Sequence, residues 1–266
     1  MDKKLYKQMN WPKIEEIIYS ECDNPHEILG PHKVGKDILF QCFYPGANAM
    51  KLRLMDKRKD IPMEMVDEGF FACLLPAKEM GEYRYVMNDN EDGEILMSDS
   101  YRHKPLITKD DTDKFAMGIH YTIYDKLGAH PCVMDGEKGT YFAVWAPNAM
   151  RVSVVGDFNN WDGRIHQMRR LWDSGIFELF VPQAVIGMNY KFELKTPGGL
   201  TYLKADPYAF ASQMRPDTAS VIVDIEDFQW EDEEFIQNRK SFQLGNVPMN
   251  VYEVYLGSFA EASEGK

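Results

Sequence analysis

The spacing of hydrophobic residues changes along the chain from helical to strand-like. Ile14, Ile17 and Ile18 follow Pro12 at intervals that place them on one side of a helix, and proline suits a first helical turn. From about residue 36, short apolar stretches are interrupted by Gly, Pro, Asn or Asp about every ten residues, which is typical of a β-sandwich. The pattern predicts a short N-terminal helix followed by an all-β fold.

Alternation with a period of two supports strands in both halves of the chain. Tyr190, Phe192 and Leu194 alternate with charged residues, so they share one face of a strand. Residues 83–87 alternate in the same way.

Four short segments occur twice in the same order, and the offset between the copies grows slowly from 100 to 107 residues. The pairs are residues 49–51 and 149–151, 69–76 and 175–182, 83–85 and 190–192, and 99–101 and 206–208. A chance match between generic strand and turn patterns is the alternative explanation. The ordered repeat favours two tandem immunoglobulin-like β-sandwich modules.

These patterns divide the chain into five expected segments. They are an N-terminal helix over 1–22, a first β-sandwich over 23–105, a linker over 106–136, a second β-sandwich over 137–226, and a connector with one further strand over 227–266.

Charge and cysteine content limit the partners and the compartment. The chain has 30 Lys and Arg against 42 Asp and Glu, a net charge of −12, which disfavours nucleic acid and anionic membrane surfaces as partners. Four cysteines without a CxxC pair are expected to be free thiols. No apolar run approaches the roughly 18 residues of a membrane span, and the first ten residues are too polar for a signal peptide. We expect a cytoplasmic protein.

Motifs for catalysis or metal binding are scarce. The sequence contains no GxSxG, Gly-rich phosphate loop or HExxH. His26 and His32 lie near acidic residues, but the prolines and glycine around them favour a packed turn over a metal site. We expect no catalytic residue, metal or cofactor in this chain.

Residues 156–163 (Gly-Asp-Phe-Asn-Asn-Trp-Asp-Gly) are the segment most suggestive of binding. An exposed aromatic ring there could stack on the apolar face of a sugar, with polar side chains bonding its hydroxyls. Trp161, with Asn159 and Lys191, is the candidate sugar-binding surface. The alternative is that Trp161 closes the end of the sandwich core. The first copy has a charged turn over residues 55–60 at this place, so only the second module carries the feature.

Residues 124–131, 142–149 and 152–163 closely resemble the glycogen branching enzyme family. Residues 23–32 resemble the start of that family's extra N-terminal module. Residues 251–259 resemble its first barrel strand, although Tyr255 and Phe259 stand where the family usually has His and Trp. The resemblance covers residues 23–259 in family order.

The resemblance implies an N-terminal sandwich, a starch- and glycogen-type carbohydrate-binding module and the stub of a TIM barrel. The family transfers an α-1,4-glucan segment to a sugar 6-hydroxyl by a retaining double displacement that uses three carboxylates. None of these has a counterpart here, so the resemblance predicts an inactive glucan-binding fragment whose partners are α-glucan and its own missing barrel. It implies sugar contacts at Trp161 and Lys191, but Leu200 stands where the family often has a second Trp.

Three other functions fit parts of the sequence. A stand-alone glycogen-binding or regulatory subunit would leave the strand over residues 251–259 without a partner. An adhesin-like tandem of immunoglobulin-type folds would be expected to carry a signal peptide. A debranching relative shares the binding module but does not explain the additional first module.

Overall fold

The computed structural model describes residues 3–89, 93–226, 229–241, 248 and 250–255. These residues contain seventeen β-strands and four short α-helices. The helices are α1 Lys3–Tyr6, α2 Trp11–Ile18, α3 Lys109–Ala116 and α4 Glu233–Ser241. The strands are β1 Gly30–Val34, β2 Asp37–Phe43, β3 Met50–Leu54, β4 Lys59–Pro62, β5 Glu64–Asp67, β6 Phe70–Pro76, β7 Tyr83–Asp89, β8 Gly93–Met97, β9 Gly128–Met134, β10 Glu137–Trp145, β11 Arg151–Gly156, β12 Arg169–Arg170, β13 Ile176–Val181, β14 Asn189–Lys195, β15 Thr201–Lys204, β16 Ala211–Ser212 and β17 Ser220–Val221.

The strands form two β-sandwiches within the compact unit Met1–Ile225. In the first sandwich, a sheet of order β1-β2-β6-β5 packs on a sheet of order β4-β3-β7-β8. In the second, β12-β13-β10-β9 packs on β11-β14-β17-β16, with β15 also paired to β14. Each sandwich encloses its own core of buried apolar side chains. The predicted all-β class with two sandwich modules is confirmed.

The repeated segments occupy equivalent places in the two sandwiches. Tyr83 on β7 donates a 2.7 Å hydrogen bond from its hydroxyl to Asp99, and Tyr190 on β14 donates one of 2.6 Å to Asp206. In both aspartates the second carboxylate oxygen accepts a 2.8 Å bond from the backbone N–H two residues further on. Burial raises the pKa of both carboxyl groups. The sequence repeat therefore preserves a specific buried contact as well as the strand order.

The N-terminal helices cover the outer face of the first sandwich. Ile14 and Ile17 on α2 are fully buried against Phe70 and Ala72 of β6. The predicted helix thus forms because its apolar stripe has a sheet to cover.

The segment before the second sandwich covers the corresponding outer face there. Ile107 and Leu127 are fully buried against Tyr141 on β10 and Phe180 on β13. The helix α3 in this segment is capped by Thr108, whose hydroxyl accepts from the backbone N–H of Asp111.

The expected linker over residues 106–136 differs from the structure at its C-terminal end. β9 lies inside it and pairs with β10 from Gly128 opposite Ala143 to Met134 opposite Glu137. Residues 128–134 are therefore part of the second sandwich. Pro131 and the turn over residues 135–136 obscure this strand in the sequence, because proline is uncommon in strands away from sheet edges.

The two sandwiches are joined along a polar seam. Gln167, fully buried, donates a 2.9 Å bond from its amide to the backbone oxygen of Ile17. The backbone N–H of Arg170 donates at 2.6 Å to the oxygen of Asp23. These bonds tie the second sandwich to α2 and to the segment that connects α2 to β1.

The expected barrel stub is not visible. In the second compact unit, Glu226–Lys266, residues 251–255 form no strand, and residues 256–259 lie outside the described part of the chain. A strand is defined by hydrogen bonds to a neighbouring strand, so an apolar, β-branched sequence pattern alone does not make a segment a strand. No helix in the described ranges is long and apolar enough to cross a membrane.

Candidate functional site

The chain turns back sharply after β11. Asp157–Asn159 form a single 3₁₀ turn, and the next two residues, Asn160 and Trp161, have φ angles of 52° and 61°. Side-chain-bearing residues adopt this left-handed conformation rarely, at a cost of roughly 1–2 kcal/mol each. Surrounding contacts must therefore hold the segment in place.

The Asn159 amide supplies part of that support. Its oxygen accepts a 2.9 Å bond from the backbone N–H of Gly156, and its nitrogen donates at 3.0 Å to the oxygen of Val154. The same nitrogen lies 3.0 Å from Nδ1 of His166. Asn159 is buried and its amide is used within the protein, so it positions the segment and does not present hydrogen-bonding groups to solvent.

His166 is a buried neutral group beneath this segment. Burial lowers the pKa of its imidazole to about 3, so the ring carries no charge near neutral pH. A neutral Nδ1 can accept the hydrogen bond that Asn159 donates. Protonation would replace that acceptor with a donor and set two donors against each other.

Trp161 projects from this support. Its side chain is 38% exposed and lies outside the buried clusters of the sandwich. Its indole nitrogen donates a 3.2 Å bond to Oδ1 of Asp157, and its backbone N–H donates at 3.1 Å to the oxygen of Gly156. The alternative that Trp161 closes the end of the sandwich core does not match this geometry, because a core-closing tryptophan would be buried. The ring is fixed at its polar edge and open at the surface.

Lys191 lies on the sheet face that the turned-back segment crosses. Lys191 and Glu193 are two residues apart on β14 and so share one face. A side chain at Gly163 would overlap the carboxylate of Glu193, which places the segment over that face. Lys191 pairs with Val155, one residue before β11 ends, and its ammonium donates a 2.7 Å bond to the hydroxyl of Thr218.

Asp157 connects the two sides of this surface. Oδ1 of Asp157 accepts the bond from the indole of Trp161. Oδ2 accepts from the backbone N–H and the side-chain amide of Asn189, at 2.8 and 3.0 Å. Asn189 begins β14, the strand that carries Lys191. We use the name tryptophan platform for Trp161, Lys191 and Thr218, which are linked through Asp157, β14 and the Lys191–Thr218 bond.

Sequence reasoning named Trp161 and Lys191 and missed the roles of Asp157, His166 and Thr218. Asp157 lies inside residues 156–163, four residues before Trp161. Its role in holding the tryptophan could therefore have been suspected from its position in the sequence. Thr218 is 27 residues from Lys191 in the chain, and only the fold brings their side chains together.

Leu200 lies at the β14–β15 turn and is 61% exposed. Its aliphatic side chain therefore lies at the position where the family resemblance leads us to expect a second Trp.

The two histidines of the first turn are packed in the fold. His26 lies edge-on to Tyr101, with ring centroids 5.1 Å apart, and Nε2 of His32 lies 3.0 Å from the backbone oxygen of Leu29. His130 makes the same contact with Leu127 in the second sandwich, also at 3.0 Å. The shared contact identifies the turn before each first strand as a repeated structural feature.

Two protein-family models match the chain, one on each sandwich. Residues 10–101 match the N-terminal domain of the α-1,4-glucan branching enzyme GlgB. Residues 126–209 match carbohydrate-binding module 48, described as the isoamylase N-terminal domain.

Curated relatives over almost the whole chain are branching enzymes. The 1,4-alpha-glucan branching enzyme GlgB of Thermosynechococcus vestitus is 40% identical over 94% of this chain and 33% of its own length. That of Gloeobacter violaceus is 42% identical over 94% of this chain and 34% of its own length. The chain thus spans about a third of the length of the relatives it matches.

Solved structures overlap it only in part. The crystal structure of apo pullulanase from Paenibacillus barengoltzii is 27% identical over 42% of this chain and 16% of that chain, with a TM-score of 0.34.

Proposed function

We propose that this chain is the N-terminal part of a 1,4-α-glucan branching enzyme and that its second sandwich binds α-glucan at the tryptophan platform. The proposed parent reaction transfers an α-1,4-glucan segment to a sugar 6-hydroxyl by double displacement through a carboxylate nucleophile. The supporting similarity lies in the two family matches, on residues 10–101 and 126–209.

The observation that carries glucan binding is the exposed, fixed ring of Trp161. Pyranose C–H groups form a flat apolar patch that can cover such a ring, and the Asp157 bond reduces the freedom that the ring would lose on binding. Lys191 uses one of its three N–H donors on Thr218 and has two left for sugar hydroxyls. In this proposal Trp161 and Lys191 contact the sugar, and Asn159 and Asp157 position them.

Catalysis is proposed to require carboxylates outside this chain. The 266-residue chain is therefore expected to show no branching of amylose. Turnover that follows the purified chain through successive chromatography steps would contradict this part of the proposal.

A reducing, cytoplasmic location completes the proposal. The four cysteines are free thiols in the structure. Burial raises the pKa of Cys22 to about 11 and of Cys73 to about 12, so both remain protonated and unreactive.

Electrophoresis through a native gel that contains glycogen tests the platform. The wild-type chain is expected to be retarded, and Trp161→Ala to bind about tenfold more weakly or worse, because it loses the burial of an aromatic face. Trp161→Phe, which keeps a ring but not the bond to Asp157, should fall between them. Asp56→Ala, in the corresponding turn of the first sandwich, is the matched control and should migrate like the wild type.

Circular dichroism establishes that each variant is folded. Equal retardation of wild type and Trp161→Ala would reject the platform. Retardation of neither protein would favour a scaffold role for both sandwiches.

A further inference from the structure

A second polar cleft lies at the seam between the sandwiches and shares no residue with the tryptophan platform. It has a volume of about 500 Å³. Its lining comes from both sandwiches and includes Asn24 and Glu27 on one side and Arg170, Trp172 and Asp173 on the other. We call it the seam cleft.

Trp172 stands at this cleft in a strained conformation. Its φ angle is 48°, in the left-handed region that a bulky side chain adopts at a cost of roughly 1–2 kcal/mol. Its side chain is nevertheless 50% exposed, so core packing does not explain the strain. The neighbouring Leu171 is buried, and its backbone N–H bonds the oxygen of Ile176 at 2.8 Å. A closed turn thus holds a large aromatic ring open to the cleft.

Two residues that line the cleft each carry a nitrogen without a hydrogen-bond partner among the described residues. These nitrogens are Nε of Arg170 and Nδ1 of His26, and both atoms are shielded from solvent. Buried polar atoms in folded proteins nearly always have a partner. Burial lowers the pKa of His26, so its ring is neutral and can exchange hydrogen bonds with a hydroxyl group. The residues that line the cleft therefore carry unused polar atoms, beside the exposed aromatic face of Trp172.

The charges of the cleft select the kind of ligand. The three carboxylates Asp23, Glu27 and Asp173 outnumber the two arginines of the cleft, Arg169 and Arg170, and Arg169 is already paired with Glu178. Anions such as phosphates are therefore disfavoured. No group of three His, Cys, Asp or Glu side chains suited to a metal ion occurs in the part of the chain that the structure describes. A neutral molecule rich in hydroxyl groups and with a flat apolar face fits these constraints. A pyranose ring has both properties.

The cleft continues into a neighbouring depression. Asp23 and Arg170 line both, and the second one reaches Asn148 and Pro197 on the second sandwich. This continuity accommodates a chain of several sugar units better than a single one.

We propose that the seam cleft is a second α-glucan-binding site, in which Trp172 stacks on a pyranose ring while Arg170, Asn24 and Asp173 bond its hydroxyls. That the sugar is an α-linked glucan rests on the function proposed above. A chain bound here contacts both sandwiches at once, so binding would also stabilise the seam.

Nuclear magnetic resonance of the whole chain tests the seam cleft separately from the tryptophan platform. The chain has five tryptophans, and their indole N–H signals are assigned by single substitutions. During titration with maltoheptaose, the Trp172 signal should shift along a saturable curve, in the wild type and in Trp161→Ala alike. The Trp11 signal, which belongs to neither site, should stay in place.

Trp172→Gly is the decisive variant because glycine adopts a φ of 48° without strain. Its melting temperature should equal or exceed that of the wild type, so a loss of binding cannot reflect unfolding. The backbone signals of Asn24 and Arg170 should then need at least about tenfold more maltoheptaose to shift.

The outcomes separate the two sites. A shift of the Trp161 signal with none at Trp172 would overturn the seam cleft and leave the platform intact. A shift of Trp172 alone would support the cleft and reject the platform. If neither signal moves at saturating maltoheptaose, both proposals fail.

Discussion

The two sandwiches share a core contact and differ at one sheet edge. In the first, the strand beside β3 is β4, and Arg53 holds this hairpin through a two-pronged ion pair with Asp60, at 2.6 and 2.7 Å. In the second, the chain after β11 leaves the sheet as a short turn that presents Trp161. This edge is covered by a regular strand in the first copy. In the second copy the chain returns to β11 at residues 166–168, through an isolated bridge between Ser153 and Gln167, after the turn that carries Trp161. A duplicated fold can thus keep its core and change what one edge displays.

The outer faces differ as well. Ala72 on β6 lies opposite Gln41 and is buried under the N-terminal helix, while Glu178, 106 residues later on β13, lies opposite Ala143. Glu178 is fully buried and bound by Arg169 at 2.7 Å. The outer face of the first copy is packed with apolar side chains, and that of the second combines the apolar packing of Ile107 and Leu127 with a buried ion pair.

Removing that ion pair should give the largest effect. Glu178→Ala leaves Arg169 without its charge partner and removes the acceptor for the Tyr141 hydroxyl, so we expect a loss of about 3–5 kcal/mol in the free energy of unfolding. Urea unfolding measures it. Arg53→Ala breaks the exposed pair of the first sandwich and should change stability far less, because water screens that pair. Similar losses in the two variants would contradict the proposed difference between the outer faces.

The second largest effect is expected at acidic pH, where His166 beneath the turn after β11 should lower the free energy of unfolding. The folded pKa of His166, about 3, lies below the unfolded value of about 6.5, so the unfolded chain binds a proton in between and stability falls as the pH drops through this range. At pH 5 the loss attributable to His166 should be about 2 kcal/mol.

Unfolding of wild type and His166→Asn at pH 7 and pH 5 measures this loss. The difference between the two proteins cancels the contribution of His26, whose pKa is also lowered by burial. Parallel pH dependence of the two proteins would show that His166 does not stay neutral in the fold.

The shared core contact should respond unequally in the two copies. Tyr190→Phe removes the side-chain hydroxyl donor of Asp206, whereas Tyr83→Phe leaves Asp99 with the hydroxyl of Tyr85 at 3.2 Å. We expect the free energy of unfolding to fall by about 1–3 kcal/mol in Tyr190→Phe and by less in Tyr83→Phe. The reason is that a buried acceptor without a partner destabilises the fold more than one that keeps a partner. Calorimetry of the two variants compares them. A larger loss for Tyr83→Phe would refute this reasoning.

The smallest effect is expected from Leu200→Trp, which should raise the glycogen affinity of the second sandwich. It adds an aromatic ring to the exposed β14–β15 turn, so glycogen affinity should rise by up to about tenfold, or about 1.4 kcal/mol, without loss of stability. Met55→Trp, in the turn after β3, is the matched control and should leave affinity unchanged. Gel retardation with glycogen measures the affinity of both variants. An unchanged affinity of Leu200→Trp would show that the turn does not take part in binding.

Much of the fold follows from local sequence patterns. The helix at Ile14 and Ile17, the alternation over β14 and the repeated Tyr and Asp positions each involve residues whose spacing is visible in the chain. The start of the second sandwich was harder to place, because Pro131 interrupts β9 and only its pairing with β10 makes it a strand. Residues 251–255 have a similar strand-like pattern but form no strand in the structure.

The candidate sites divide in the same way. The sequence by itself determined that Trp161 and Lys191 are present in a second copy that differs from the first, because those are properties of residue type and order. Only the tertiary structure decided that Trp161 is open to solvent, that the Asn159 amide is used internally, and that Lys191 meets Thr218. The seam cleft around Trp172 likewise exists only in the fold, because its walls come from segments about 150 residues apart in the chain. Exposure and cross-chain contacts depend on which surfaces pack together, and a linear pattern does not specify that.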